Sequence, residues 1–269
     1  MTIKRVWIFG DSYADPNWQK ERYTHETWYE TLAKQYEYNN FAKAGTGPHY
    51  SMKEFYRRYK QFDKEDLVIW ILSGEERIQY HLPKEYRTYE HNDIYLVHES
   101  YWNFENQEMM FNDNCDRSFH KAHKDHMSFT MKTFEKEIVN SNKKNESFLY
   151  TISRIHKCKI CIFFLNYDDS YIKDSLNDDL FYIHPPELQE VAKGEYKNPG
   201  NPYYEDNKRN NHLSEANHKI MYTIIDNFVQ GIHEVPKFEQ NLLEEPEQPN
   251  VLFSYVEEGH HKTERFIYD

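Results

Sequence analysis

Residues 5–12 read Arg5-Val6-Trp7-Ile8-Phe9-Gly10-Asp11-Ser12. Four consecutive apolar side chains after an arginine, with no polar alternation, mark a strand buried on both faces of a parallel sheet, and Gly10 ends it. The turn beyond it sets Ser12 at the strand's C-terminal end, where its hydroxyl stands clear of the sheet and its backbone N–H can face a site. Gly, Asp and Ser are also ordinary turn residues, so the tripeptide by itself reads first as a plain strand-to-loop connection.

Working outward, Trp28, Leu32 and Tyr36, with Tyr29 and Ala33 beside them, follow helical spacing from Glu26 to Tyr36, and Asn39 and Asn40 close that helix. A short strand from Tyr38 to Ala42, a Gly45-Thr46-Gly47-Pro48 turn and a helix from about Ser51 to Phe62 come next. Asp66 to Leu72 and Lys159 to Leu165 are two more continuous apolar runs and read as buried strands. Between Ser73 and His156 lies a long insertion, rich in aromatics and charge and without a clear strand; its last part, from about Met127 to Ile155, is expected to be helical. A final helix is expected from about Glu215 to Val229. Strands alternating with helices predict an α/β domain over residues 1–232, a parallel sheet with helices on both faces and right-handed crossovers. Residues 233–269, with Pro236, Pro246, Pro249 and many acids, read as a tail that wraps the domain or reaches a protein partner. No repeat with a period of 20–50 residues is visible.

The 269-residue chain has 45 Asp plus Glu against 33 Lys plus Arg, a net charge of -12, which repels phosphate backbones and anionic membranes, so nucleic acid is not an expected partner. No apolar run reaches the length of a membrane span, and Val6 to Phe9 is too short for a signal-peptide core, so a cytoplasmic, unprocessed chain is expected. With 17% aromatics and only 8 glycines, the interior is expected to be packed with rings. Cys158 and Cys161 have a CxxC spacing, but residues three apart on a strand point to opposite faces, so they read as buried reduced thiols. His120, His123 and His126 walk around a helix axis rather than converge, and no other His, Cys and acidic set converges, so neither metal nor cofactor is expected. Asp168 and Asp169, just beyond the Lys159 strand, read as loop-capping acids, with the lining of a substrate pocket as the alternative. His260 and His261 in the tail match nothing catalytic.

A serine nucleophile needs a base. In Asn210-Asn211-His212-Leu213-Ser214-Glu215, Ser214 is a good N-cap for the final helix, which leaves His212 in the loop just before it. An imidazole at that junction, above the C-terminal edge of a parallel sheet, can reach a serine on the first strand's exit loop. His218 falls inside the helix and reads as structural or surface.

With these blocks the chain resembles the GDSL/SGNH hydrolase family, including its short phage-encoded members, over about residues 1–232. The resemblance implies a three-layer α/β/α sandwich of SGNH or flavodoxin-like type. It makes Gly10-Asp11-Ser12 the family's first block, with Ser12 as nucleophile and first oxyanion donor. Asn40-Phe41-Ala42-Lys43-Ala44-Gly45 matches the second block, with the Gly45 N–H as second donor. The implied activity is that of a metal-independent esterase or O-deacetylase on a small acylated substrate such as an acetylated sugar.

Two positions depart from the family pattern. Ser73-Gly74-Glu75-Glu76-Arg77 stands where the family has a Gly-x-Asn-Asp type block, and the Glu76 anion cannot stabilise an oxyanion, which leaves Arg77 or Ser73 as replacement donors. Arg209 stands where the family has an Asp three residues before the His. Asp206 is the best orienting group for His212, with Glu205, the Asn210 amide or a bare Ser-His dyad as alternatives. Losing one oxyanion donor typically costs roughly 10²–10³ in turnover, and losing the orienting carboxylate about 10⁴. The alternative implied by the same resemblance is therefore an inactive scaffold with a structural or partner-binding role.

Overall fold

The computed structural model describes residues 2–17, 25–44, 46–73, 79–80, 94–95, 144–165, 177–185, 187–195, 213–242, 251–257 and 260–266. Five strands form one parallel sheet: β1 (Arg5–Phe9), β2 (Glu37–Asn40), β3 (Asp66–Leu72), β6 (Lys159–Phe164) and β7 (Phe181–His184), in the spatial order β2-β1-β3-β6-β7. The central strands β3 and β6 are buried at every position, as their unbroken apolar runs require. From β1 the chain runs to β2 on one side and then crosses to β3 on the other, so the direction of winding reverses between β1 and β3.

Alternate residues of each strand face opposite ways. Val6, Ile8, Leu67, Ile69, Ile71, Cys161 and Phe163 share a buried cluster with α1 (Trp28–Ala33), α4 (Leu188–Gly194) and α5 (Glu215–Gln230). Trp7, Phe9, Val68, Trp70, Leu72, Ile160, Ile162 and Phe164 pack instead against α2 (Pro48–Tyr56) and α3 (residues 144–156). The second layer is the ring-filled one: Phe9 lies 5.5 Å from Trp70 and 5.4 Å edge-on to Phe55, and Phe55 lies 5.2 Å from Trp70.

Local sequence fixes where the helices begin. Thr27 and Glu30 form a reciprocal capping box at α1, where the Glu30 carboxylate accepts the Thr27 N–H at 2.8 Å. α2 starts at Pro48, earlier than the helical spacing from Ser51 indicates, because a proline at the first helical position has its φ preset and no N–H to lose. It stops at Tyr56, and a single 3₁₀ turn, Tyr59–Gln61, covers the rest of the expected span. α5 opens on the Ser214 cap and ends at Gly231 in the left-handed conformation, φ 74°.

Several boundaries depart from the sequence reading. α1 is Trp28–Ala33 rather than Glu26–Tyr36, and β2 is Glu37–Asn40 rather than Tyr38–Ala42. β7 and α4 are elements that the sequence pattern does not announce. The insertion is not strand-free, since β4 (Gln79–Tyr80) and β5 (Ile94–Tyr95) pair antiparallel. The tail carries a hairpin of β8 (Val251–Glu257) and β9 (His260–Phe266), the latter including the His260 and His261 backbone. Cys158 and Cys161 are fully buried free thiols in the two opposite layers. Among the described residues no helix is long and apolar enough to cross a membrane, and no group of three or more His, Cys, Asp and Glu could hold a metal ion.

Candidate active site at the C-terminal edge of the sheet

In a parallel sheet that reverses its winding, the crevice for ligands opens beyond the C-terminal ends of the two strands at the reversal. Here those strands are β1 and β3, which lead into Gly10-Asp11-Ser12 and into Ser73. Gly10 has φ 155°, and a Cβ there would sit 2.7 Å from the Cβ of Ile71 on β3, so only glycine lets the chain leave β1 this closely. Asp11 is fully buried. Its Oδ1 accepts the Tyr13 N–H at 3.1 Å and its carbonyl accepts the Ala14 N–H at 3.1 Å, which closes a tight turn with the half-exposed Ser12 inside it.

A polar lattice holds this turn from behind. The Ser73 hydroxyl lies 3.0 Å from Asp11 Oδ2 and 3.1 Å from the Thr46 carbonyl, and Thr46 Oγ1 donates to the Lys43 carbonyl at 2.7 Å. Asp15 Oδ2 accepts the Ala44 N–H at 2.8 Å, and Trp28 Nε1 donates to the Tyr13 carbonyl at 3.2 Å. The start of α1 and the loop after β2 are thus tied to the turn that carries Ser12. Ser73 is not the replacement oxyanion donor that the sequence allows: it is 2% exposed and its single proton lies between two protein acceptors.

The direction of α5 follows from its far end. Lys159, the first residue of β6, is buried at the sheet's N-terminal edge, and its Nζ donates to the carbonyl of Phe228 at 2.9 Å. The C-terminus of α5 therefore lies at that edge, and its 16 residues span about 24 Å, which carries its N-terminus to the opposite edge, where Ser12 lies. Two contacts agree: Gln35 Nε2, just after α1, meets Tyr222 OH at 2.7 Å, and His25, just before α1, has its ring 5.3 Å from that of His218 in the first turn of α5. His218 is 2% exposed, so it is not the surface residue that one of its two sequence readings allows.

The start of α5 is fixed by a residue that sequence reasoning missed. Glu195, fully buried, follows α4, and its Oε1 accepts the Ser214 N–H at 2.8 Å, the Ser214 hydroxyl at 2.7 Å and the Asn217 side-chain amide at 2.5 Å. Asn217 also holds residue 239 through both the Glu239 N–H and the Glu239 carbonyl, at 2.8 and 3.0 Å. A glutamate after a helix carries no sequence signal for this. An Asn at the third position of a helix, three residues after a Ser cap, carries a weak one.

Of the expected site residues, Ser12 and the flanks of His212, Leu213 and Ser214, are brought to one edge. His212, Asp206, Glu205, Asn210, Arg209, Gly45, Glu76, Arg77, Asp168 and Asp169, together with His120, His123 and His126, lie outside the described residues. Burial pushes the Cys158 thiol up to about 12 and raises Cys161 as well, so neither supplies a thiolate nucleophile. In comparisons with known proteins, no family model, no curated protein and no solved structure matches the chain.

Proposed function

We propose that this protein is a serine hydrolase of the SGNH type that cleaves a carboxylic ester or O-acetyl group. The observation that carries the reading is that the turn bearing Ser12 leaves β1 at the winding reversal, while α5, whose cap is two residues after His212, begins at the same edge. The order β2-β1-β3-β6-β7, with helices packed on both faces, supports an SGNH-like α/β/α sandwich with a long insertion after β3. A small acylated molecule such as an acetylated sugar is the substrate in this reading.

In the proposed reaction Ser12 Oγ attacks the acyl carbon as His212 takes its proton. The N–H groups of Ser12 and Gly45, with Arg77 as third donor, hold the negative oxygen of the tetrahedral intermediate. Collapse breaks the ester bond, and the leaving alkoxide takes the proton from the imidazolium. Water then attacks the acyl-enzyme with His212 again as base, releasing the acid and restoring Ser12. Asp206 orients the imidazole by accepting its other N–H. Each step needs only groups of this chain and water, so turnover is expected to be insensitive to EDTA.

A fluorophosphonate probe tests the reading directly. Labelling of the full chain, lost in Ser12→Ala, together with hydrolysis of p-nitrophenyl acetate that is lost in the same variant, supports it. Folded protein that neither labels nor hydrolyses rejects it. The Ser73 hydroxyl held by Asp11, together with Glu76 in the place of the family's Asn, favours a second reading, an inactive SGNH-like scaffold whose tail contacts a protein partner. That reading is the one left standing by a negative result.

A further inference from the structure

We propose that the β8–β9 hairpin is a self-association module, in which the edge of β8 away from β9 pairs antiparallel with β8 of a second copy of this chain. The proposal is independent of the hydrolase reading. Among the described residues β8 (Val251–Glu257) pairs with β9 (His260–Phe266) alone, in a sheet of two strands. A ribbon of two strands is marginal in water, and three or more are needed for independent stability. The two strands differ in what they offer to a third. β9 reads His260-His261-Lys262-Thr263-Glu264-Arg265-Phe266, and charges at this density keep an edge from pairing. β8 reads Val251-Leu252-Phe253-Ser254-Tyr255-Val256-Glu257, with no charge or proline in its first six positions, a composition that makes an open edge pair with another strand. The main sheet shows how this chain treats an edge that is not meant to pair. On β7 the outward N–H and C=O of Ile183 are taken by the Asn177 side-chain amide, at 2.8 and 3.2 Å, and those of Phe181 by Asp178, at 3.1 and 2.8 Å. Among the described residues β8 has no such plug.

The occupant is a second copy because β8 is complementary to itself. A two-fold axis through Ser254 overlaps the whole strand, sets Phe253 opposite Tyr255 of the second copy and Leu252 opposite Val256 of the second copy, each pair twice, and brings only the small Ser254 to the axis. The product is a four-stranded sheet, β9-β8-β8-β9, with the apolar strands inside and a charged strand at each edge, so growth stops at two copies. Charge permits the meeting. Within the two strands Glu257 and Glu264 balance Lys262 and Arg265, whereas the chain as a whole carries -12, so the hairpins approach without the repulsion that opposes the rest of two chains. The chain also has the length to do it. Its last described fastenings to the α/β domain are Asn217 on Glu239 and the Gly194 carbonyl, which accepts the Asn241 N–H at 2.9 Å. Residues 243–250 separate Leu242 from β8, and that length reaches at most roughly 30 Å, a span that lets two hairpins meet outside both domains.

Sedimentation equilibrium of the full chain at micromolar concentrations is the first test. The wild type is expected at twice the mass of one chain. Phe253→Lys, which adds to β8 the kind of charge that β9 already carries, is expected at the mass of one chain, with the urea midpoint of the α/β domain unchanged. Crosslinking then fixes the partner and the register while sparing the apolar positions nearest the axis. In a Cys115→Ser background the remaining native thiols, Cys158 and Cys161, are buried. There Ser254→Cys is expected to give a covalent dimer with oxidised glutathione, because residues facing each other across the axis have Cα atoms about 4.5–5.5 Å apart. Tyr255→Cys in the same background is expected to stay uncrosslinked, since its Cα lies about 8 Å from that of its equivalent, beyond the reach of a disulfide. A wild type that sediments as one chain overturns the proposal, whether the hairpin then rests on its own domain or on another protein. So does a dimer that survives Phe253→Lys, or a Ser254→Cys chain that crosslinks no better than Tyr255→Cys. If Phe253→Lys does not fold, the two cysteine variants decide.

Discussion

The two ends of the same five strands are held by different chemistry. At the N-terminal edge charge meets charge: Arg5 forms a two-pronged ion pair with the fully buried Asp66, at 2.7 and 2.9 Å, and Lys4 meets Glu65 at 2.8 Å. Buried Lys159, its pKa lowered by desolvation, donates to the carbonyls of Asp179 and Phe228. At the C-terminal edge the buried carboxylates of Asp11, Asp15 and Glu195 accept backbone N–H groups, hydroxyls and an amide. Such bonds fix the path of the backbone, turn by turn, whereas the ion pairs of the other edge clamp one strand to the next. One end is built to hold the sheet together, the other to hold loops in place around Ser12.

The largest expected effects come from crossing the two ends. Asp66→Ala takes one of two carboxylate partners from Arg5, which keeps Asp63 at 2.8 Å, and the acceptor from the Asp63 N–H, a loss of roughly 1–3 kcal/mol for bonds made by a fully buried carboxylate to a half-buried arginine. Its urea midpoint should fall while kcat per folded molecule stays near wild type. Ser12→Ala should do the reverse, with turnover down by at least about 10⁴ and an unchanged midpoint. A large kcat loss in folded Asp66→Ala, measured at low temperature, would erase the division between the edges.

His184 closes β7 in the α5 layer and supplies the next effect. It is 2% exposed, its Nδ1 is 3.0 Å from Tyr182 OH, and its ring packs against Phe163 and against Phe238 of the segment after α5. Desolvation lowers its pKa from 6.5 to about 4. Above pH 6.5 the imidazole is neutral in both folded and unfolded chains and its titration leaves stability unchanged. As the pH falls from 6.5 toward 4 only the unfolded chain takes up the proton, so stability drains away over that window, by about 3 kcal/mol in all. Urea midpoints measured at pH 7, 5.5 and 4.5 should fall less in His184→Gln, which stays uncharged; parallel curves for the two proteins would show that His184 is protonated in the folded state.

Gly10 stands at the C-terminal edge, where it terminates β1 and starts the Ser12 turn. Gly10→Ala must push its Cβ off Ile71 Cβ, which is fixed to the backbone of β3, and overpacking of this kind costs roughly 1–3 kcal/mol. Because the relief comes by shifting the turn, kcat should fall as well. A variant destabilised by that amount with unaltered kcat would show that the turn is held by the Asp11 and Ser73 lattice alone.

Legibility in the sequence divides along the same line. β3 was legible to the residue, since seven apolar or strand-starting positions from Asp66 to Leu72 have no competing reading, and the Ser214 cap located α5 within one residue of its end. β7 was not legible: it is four residues long, at the sheet edge, and two of them are Tyr and His, whose burial depends on rings brought from elsewhere. The hairpin of β8 and β9 was hidden by the acidic, proline-bearing run before it. At the site, Ser12 stood out because a strand delivers it. Glu195 did not, because its partners lie 19 and 22 residues away and only tertiary folding brings them to it.

The smallest effect isolates backbone strain at the N-terminal edge, far from Ser12. Gly231 ends α5 with φ 74°, its N–H within reach of the Asn227 and Phe228 carbonyls, while the Ile232 N–H bonds the Asn227 carbonyl at 2.8 Å. Nothing lies within 4 Å of where its Cβ would be, so a side chain meets no clash and the whole cost is that of placing an L-residue in the left-handed region, about 1 kcal/mol for alanine. In a domain of this size that is a Tm drop of roughly 2–4 °C. Asparagine tolerates this conformation better, so Gly231→Asn should cost less than Gly231→Ala, and both should leave kcat untouched. Equal losses in the two variants would mean that something other than φ sets the cost at Gly231, and a fall in kcat would mean that the lower end of α5 reports to its upper end after all.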